Sequence, residues 1–386
     1  MSVTLPAGFR AAGIAVGLKS TGKPDLSLVQ NLGPSRAAAA VMTSNRAKAN
    51  PILWSQRVIA NGNAAAIVLN SGGANCFTGD FGFQTSRLTA EAVAVGLGIS
   101  EDDVLVCSTG LIGVGGQDFR DKIIDGVPVV IERLSDDASD QSAAEAILTT
   151  DTVAKLAEHR GNGWSIGAMA KGAGMLAPGL ATMLVVITTD ADLNPVQLDE
   201  ALRAATRVTF DRLDSDGCMS TNDHVTLLSS GASGVSPDLT QFTTALIEVC
   251  ASLAEQLQAD AEGASHTIDI EVTGAVTEDD AVEVARSVAR NNLFKAAMFG
   301  NDPNWGRVLA AIGTTQAPFD PYAVDVTMNG VRVCHAGGPD APAEEVDLTP
   351  RRIHVLIELH EGEATATVRT NDLTHDYVHE NSAYAS

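Results

Sequence analysis

A threonine at position 182 sits at the junction of two unlike stretches in KGAGMLAPGLATMLVVITTD (171–190). Before it crowd small residues, Gly172, Ala173, Gly174, Ala177, Gly179 and Ala181, which permit tight turns and close backbone approach. After it runs an apolar, β-prone segment, 183–187, closed by Thr-Thr-Asp, the pattern of a buried strand. A hydroxyl fixed at the mouth of such a strand is well placed to act as a nucleophile. The alternative is a tight loop feeding a core strand, with Thr182 chosen for β-propensity.

A second loop offers the complement to a nucleophile. The apolar segment 104–107 runs into Ser108-Thr109-Gly110-Leu111-Ile112-Gly113. Its backbone N–H groups and hydroxyls could converge on a phosphate or on an oxyanion. The chain has no GxxxxGK[ST] and no well-placed GxGxxG, which speaks against nucleotide binding. The loop 211–225, with Asp211, Asp214, Asp216 and Asp223, resembles a cation loop only loosely, lacking EF-hand spacing and the closing Glu. It reads as a turn near a site, and His224 as a hydrogen-bonded structural histidine. Trp305 and Arg307, in the turn-rich insert 301–307, either line a site or pack a loop.

These loops need a frame. Strands are expected at 12–18, 37–43, 64–69, 104–107, 165–169, 183–187 and 267–272. Segment 86–97 has loosely helical spacing with Thr85 as a possible N-cap, and another helix is expected through 141–148. Asn194, Pro195 and Gln197 predict a capping box and a helix to about Val208. Asp238 caps an amphipathic helix over 239–258, and Thr277 one over 278–289. From Ala323 the pattern is β: 324–328 and 331–334 form a hairpin about Asn329-Gly330, and 352–359 with 364–369 reads as a second hairpin. The polar tail 376–386 reads as frayed. The fold class is therefore α/β with antiparallel hairpins.

The length of 386 residues favours two sub-structures over one ordinary core. With 25 basic against 48 acidic residues the formal charge is −23, which argues against non-specific nucleic-acid binding and for a well-solvated surface. The opening MSVTLPAGFRAAG has no basic flank followed by an apolar core, and no apolar run approaches bilayer-spanning length, so a cytoplasmic protein is expected. Five scattered cysteines without CxxC or Cys/His clustering suit buried thiols in a reducing compartment, not a zinc site.

Taken in order, KGAGM (171–175) and LATML (180–184) resemble the core of the ornithine acetyltransferases of arginine biosynthesis. LNSGGAN (69–75), CSTGLIG (107–113), TTDT (149–152), STNDHV (220–225), DAEG (260–263), DPNWGR (302–307) and HENSAY (379–384) extend the resemblance over essentially the whole chain. One departure is visible: the family often has Thr-Val after Asn-Asp, where this chain has His224-Val225.

The resemblance implies layered sheets flanked by helices in an N-terminal-nucleophile-like fold. It implies a precursor that cuts itself between Ala181 and Thr182 into an α chain (1–181) and a β chain (182–386), assembled as two of each. The released α-amine, titrating near pH ~8, would serve as base for the hydroxyl of its own residue. Thr182 would take acetyl from N-acetyl-L-ornithine and pass it to L-glutamate, with Thr109 and Gly110 stabilising the oxyanion. Lys171 would meet an α-carboxylate and Glu262 an ammonium group; Asn381, Ser386 and a threonine of TTDT, Thr149 in preference to Thr150, complete the implied substrate contacts. No metal or organic cofactor is implied, because the threonine carries the acetyl group. Single-reaction and bifunctional members differ in whether acetyl-CoA also serves as donor. Two other classes fit parts of the pattern: a self-processing amidohydrolase or aminopeptidase of related architecture, and a non-catalytic amino-acid-binding protein.

Overall fold

The computed structural model describes residues 3–134, 139–177 and 183–383. The chain divides into two compact units, neither continuous in sequence. The first takes 1–173, 179–210 and 219–257; the second takes 174–178, 211–218 and 258–386.

In the first unit two sheets face a shared core. The four-stranded sheet runs in the order Phe9–Ile14, Leu26–Asn31, Ala66–Asn70, Val104–Ser108. Its last two strands are parallel, so the loops after Asn70 and after Ser108 leave the same edge. The five-stranded sheet runs Ala38–Met42, His224–Ser229, Leu184–Thr189, Ser165–Lys171, Lys155–Arg160. Here the pair Leu184–Thr189 and His224–Ser229 is parallel, which sets their N-terminal ends side by side. Leu28, Ile67, Leu69 and Leu105 from one sheet share a buried cluster with Met169, Leu184, Val186 and Leu228 from the other. Each such side chain contributes about 1.5–3 kcal/mol on leaving water. Both strands of the parallel pair Ala66–Asn70 and Val104–Ser108 are buried throughout, as expected for strands covered on two faces.

The helices Asn50–Ile59, Gly79–Leu97 and Gln117–Arg133 cover the four-stranded sheet. The expected start near residue 86 is corrected: the helix begins at Gly79, and Thr85 lies inside it, its hydroxyl donating to the Phe81 carbonyl. Glycine-rich first turns carry little apolar periodicity, so the pattern emerges a turn late. The capping box at Asn194 forms as expected and opens Pro195–Val208. Asp238 accepts from the Gln241 N–H at the head of Leu239–Ala259.

The second unit is built on a six-stranded sheet. Its order is Gly338–Pro339, Val331–His335, Asp325–Met328, Arg352–Glu358, Thr267–Ala275, Ala364–Asn371. The first expected hairpin is present, with Asn329 and Gly330 both at positive φ as its two-residue turn requires. The second is not a hairpin. Thr267–Ala275 lies between the two strands, parallel to Arg352–Glu358 and antiparallel to Ala364–Asn371. Alternation of apolar and polar residues fixes which face of a strand is buried, but not which strand lies beside it. The capping box at Thr277 opens Glu278–Ala289, and Trp305–Ile312 begins at Asn304. Trp305 packs against the core of this unit and Arg307 donates to the Leu293 carbonyl, so both serve packing. The expected fraying of the tail is corrected for its described part, which forms the helix His375–Ala383; residues 384–386 lie outside the described residues.

Candidate active site

In the first unit the edges of the two sheets bring Thr109, Lys171 and Met183 to one region. The Thr109 N–H donates to the Asn70 carbonyl at 2.9 Å, and the Thr109 carbonyl accepts from the Gly73 N–H at 3.0 Å. The backbone donor of Thr109 is thus engaged, and its side chain is buried. Gly110 follows at φ +132°, and a Cβ there would come within 2.5 Å of the Gly73 nitrogen. Only glycine fits so close to a neighbouring backbone. Among the described residues the Gly110 N–H meets no acceptor.

Lys171 is buried. It ends the strand Ser165–Lys171, paired across to Leu184, and its Nζ stands 3.3 Å from the Thr109 hydroxyl. A buried ammonium requires a negative partner. That partner is Asp151, whose carboxylate is 3.8 Å from the Lys171 Nζ and 2.5 Å from the Lys155 Nζ. Asp151 also accepts the Gly172 N–H at 2.6 Å and the Thr149 N–H at 3.1 Å. Burial pushes this carboxyl up, but the two lysines and the Gly172 N–H outweigh it and hold it at about 2. Asp151 is therefore an anion that fixes both Lys171 and the backbone of Thr149. In the sequence Asp151 is marked only as an acid inside a turn of hydroxyl residues, TTDT (149–152).

The strand tip Asn222-Asp223-His224 closes the arrangement. The Asp223 carboxylate accepts the Met183 N–H at 3.2 Å, and the His224 N–H donates to the Met183 carbonyl at 3.1 Å. Burial pushes the Asp223 carboxyl well up, only partly opposed by the hydrogen bond from the Met183 N–H. His224 bears out its structural reading: its Nδ1 lies 2.8 Å from the Cys107 Sγ, both buried. Burial lowers the imidazole to about 3 and raises the thiol, so both are neutral. The residue at which this chain departs from the family pattern thus packs two positions before Thr109. All five cysteines are free; Cys218 is exposed, the other four buried.

In the second unit Glu262 and Asn381 meet. The Asn381 Nδ2 donates to the Glu262 Oε2 at 3.0 Å and to the Tyr377 carbonyl, so two residues that the resemblance implied separately as substrate contacts touch each other. Gly174 lies under the Glu262 carboxylate, where a Cβ would come within 2.5 Å of it. Glu262 also lines a cavity of about 200 Å³ with Asp216, Lys295, Asp372 and Tyr377. Lys295, lowered to about 8 by burial despite Asp216, Asp214 and Asp372, donates to the carbonyls of Ser215 and Asn371 and to the Thr370 hydroxyl.

The carboxylates of the acidic loop have separate partners. Asp214 faces Arg286 and Arg290, and Asp216 accepts the N–H groups of Met175 and Cys218. Among the described residues no group of three or more His, Cys, Asp or Glu is placed to hold a metal ion, and no helix is long and apolar enough to cross a membrane. Ala181, Thr182 and Ser386 lie outside the described residues.

The sequence matches the profile of the ArgJ family over residues 10–386. It is 59% identical to the arginine biosynthesis bifunctional protein ArgJ of Streptomyces coelicolor and 56% identical to that of Thermobifida fusca, in both cases over 386 residues and the full length of each chain. The solved structure of an ornithine acetyltransferase complexed with ornithine, from Mycobacterium tuberculosis, is 47% identical over 47% of this chain and 96% of its own, at a TM-score of 0.44. A family profile and full-length relatives above half identity leave one assignment: this chain belongs to the ArgJ family.

Proposed function

We propose that this chain is an acetyltransferase of arginine biosynthesis that moves acetyl from N-acetyl-L-ornithine to L-glutamate through an acetyl-threonine intermediate. The observation that supports it best is the buried Lys171 ammonium beside the Thr109 hydroxyl, in a chain that aligns end to end with proteins named for a bifunctional role in arginine biosynthesis. Bifunctionality would add acetyl-CoA as a second acetyl donor to glutamate.

In this reading the precursor cuts between Ala181 and Thr182 by an N-to-O acyl shift and hydrolysis, giving chains 1–181 and 182–386. The Thr182 hydroxyl, deprotonated by its own α-amine, attacks the acetyl carbonyl; the amine then returns the proton to the departing ornithine nitrogen. The α-amino group of glutamate attacks the acetyl ester in the second half, releasing N-acetyl-L-glutamate and restoring the threonine. The Thr109 hydroxyl and the Gly110 N–H stabilise each oxyanion. Lys171 takes a substrate carboxylate, with Thr149 beside it. Glu262 takes an ammonium group, its carboxylate oriented by Asn381, and Ser386 adds a further contact. The enzyme works in the cytoplasm as an assembly of two α and two β chains.

Thr109→Ala is expected to lower kcat about 10²–10³-fold, the usual loss for one oxyanion donor, with KM little changed. An unaltered turnover rate removes Thr109 from the reaction. The reading as a whole is tested by denaturing mass measurement and N-terminal sequencing, followed by assay with N-acetyl-L-ornithine and glutamate. Two chains, the second beginning Thr182-Met183-Leu184, and glutamate-dependent release of ornithine are expected. Equal release without glutamate would make it an amidohydrolase; an uncut chain with saturable ornithine binding would make it a binding protein.

A further inference from the structure

The side chain of Asn222 is buried at the edge of the first unit's two sheets, and each of its polar atoms is committed. Its Nδ2 donates to the Ser108 carbonyl at 2.8 Å and to the Ala74 carbonyl at 2.7 Å. Its Oδ1 accepts from the Thr221 hydroxyl at 2.6 Å. Two carbonyls accept but never donate, so the amide has one workable orientation: a flip would set its oxygen against both. Ser108 is joined to Thr109, and Ala74 to Gly73, whose N–H the Thr109 carbonyl accepts. The amide therefore ties together the two loops that leave the parallel strand pair.

The same strand tip holds the other side. Asp223 and His224 engage the N–H and carbonyl of Met183, the residue covalently joined to Thr182. Three consecutive residues thus grip the chain after the threonine on one side and the Thr109 loop on the other. We propose that Asn222 is a positioning residue for acyl transfer, its amide fixing the Thr109–Gly110 donors in register with the chain that carries Thr182. The proposal rests on the functional reading above, since it supplies the reason why that register matters. It does not make Asn222 a catalytic residue, because the amide faces protein carbonyls and not the reacting atoms.

Asn222→Asp keeps the shape and the oxygen that meets Thr221, but turns a carboxylate toward two carbonyls. Two readouts decide the matter. Hydrogen exchange across 70–76 and 107–113 is expected to quicken about tenfold in the variant, the loss of two modest hydrogen bonds, while the strand His224–Ser229 keeps its protection. Acetyl transfer is expected to lose about 100-fold in kcat with KM within about threefold, as for an angstrom-scale misplacement of a reacting constellation. Unchanged exchange in both loops, or a kcat within about twofold of the parent, overturns the proposal. Should Asn222→Asp fail to fold, Thr221→Val removes only the hydroxyl that donates to the Asn222 Oδ1. It is expected to quicken exchange in the same loops and lower kcat about tenfold, and parental behaviour in both again overturns the proposal. A parent protein that transfers no acetyl sinks the functional reading alone, and the exchange comparison still decides whether Asn222 holds the two loops.

Discussion

Thr182→Ala is expected to leave one uncut chain and no measurable acetyl transfer. In the proposed mechanism the hydroxyl starts the acyl shift, so its removal would generate no free α-amine and would take away nucleophile and base together. Removing a nucleophile from a triad-type site costs on the order of 10⁴–10⁶ in kcat, and losing its base as well adds little because the two act as a unit. Thr182→Ser is the informative partner. It keeps both a hydroxyl and, after cutting, an α-amine, so it is expected to yield two chains and retain most of the transfer rate. Denaturing mass measurement of the two variants, followed by single-turnover acetylation, separates processing from transfer. An alanine variant that still splits at 181/182 would remove the threonine from the cutting step.

Much of each unit's fold is written locally. Asn194 with Gln197, and Thr277 with Asp280, satisfy helix-end N–H groups through side chains a few residues away, and both helices begin where those residues stand. The turn Asn329-Gly330 needs two positive-φ residues and has the two types that adopt them readily. Helix Gln117–Arg133, by contrast, was not anticipated, since it carries Gly126 and Pro128 in its interior and its helical pattern is interrupted there. Strand Lys155–Arg160 alternates poorly because it is an edge strand with charged residues, Glu158 and Arg160, facing out. The insertion of Thr267–Ala275 between the last two long strands was illegible for a different reason. Its pairing is settled by a contact across many tens of residues, and no local spacing encodes it.

The contacts among the candidate site residues likewise depend on the fold and not on local spacing. Thr109 and Lys171 were singled out as chemistry-bearing residues, and the fold sets them in contact across 62 positions of sequence. Glu262 and Asn381 were likewise named, and they hydrogen-bond across 119. What the sequence did not disclose is the support. Asn222 carries no charge and Asp151 sits among threonines, so neither advertises a role until the carbonyls and ammonium groups around them have been placed. Residues that touch substrate tend to be chemically conspicuous, whereas those that hold them are conspicuous only by position.

Asp151→Leu is therefore expected to be the most destabilising change of this set. It removes a buried anion that stands between two buried ammonium groups and receives the N–H groups of Gly172 and Thr149. Breaking a buried ionic cluster by deleting one member costs about 3–5 kcal/mol, which corresponds to a fall of roughly 6–20 °C in Tm for a unit of this size. Asp151→Asn keeps an oxygen for the two N–H groups while losing the charge, and is expected to fall between parent and leucine variant. The pH dependence identifies the carboxylate as the cause. Its folded value, at about 2, lies below the unfolded value near ~3.9, so its contribution is complete above about pH 4 and disappears as pH falls through 2. The gap in stability between parent and Asp151→Leu should accordingly be constant from neutrality down to about pH 4 and narrow below it. Equal melting at pH 7, or a gap that persists unaltered toward pH 2, would show that Lys155 and Lys171 are held by something other than this anion. A leucine variant that survives at neutral pH should also bind a carboxylate substrate more weakly, because Lys171 would then have lost the carboxylate that orients it toward Thr109.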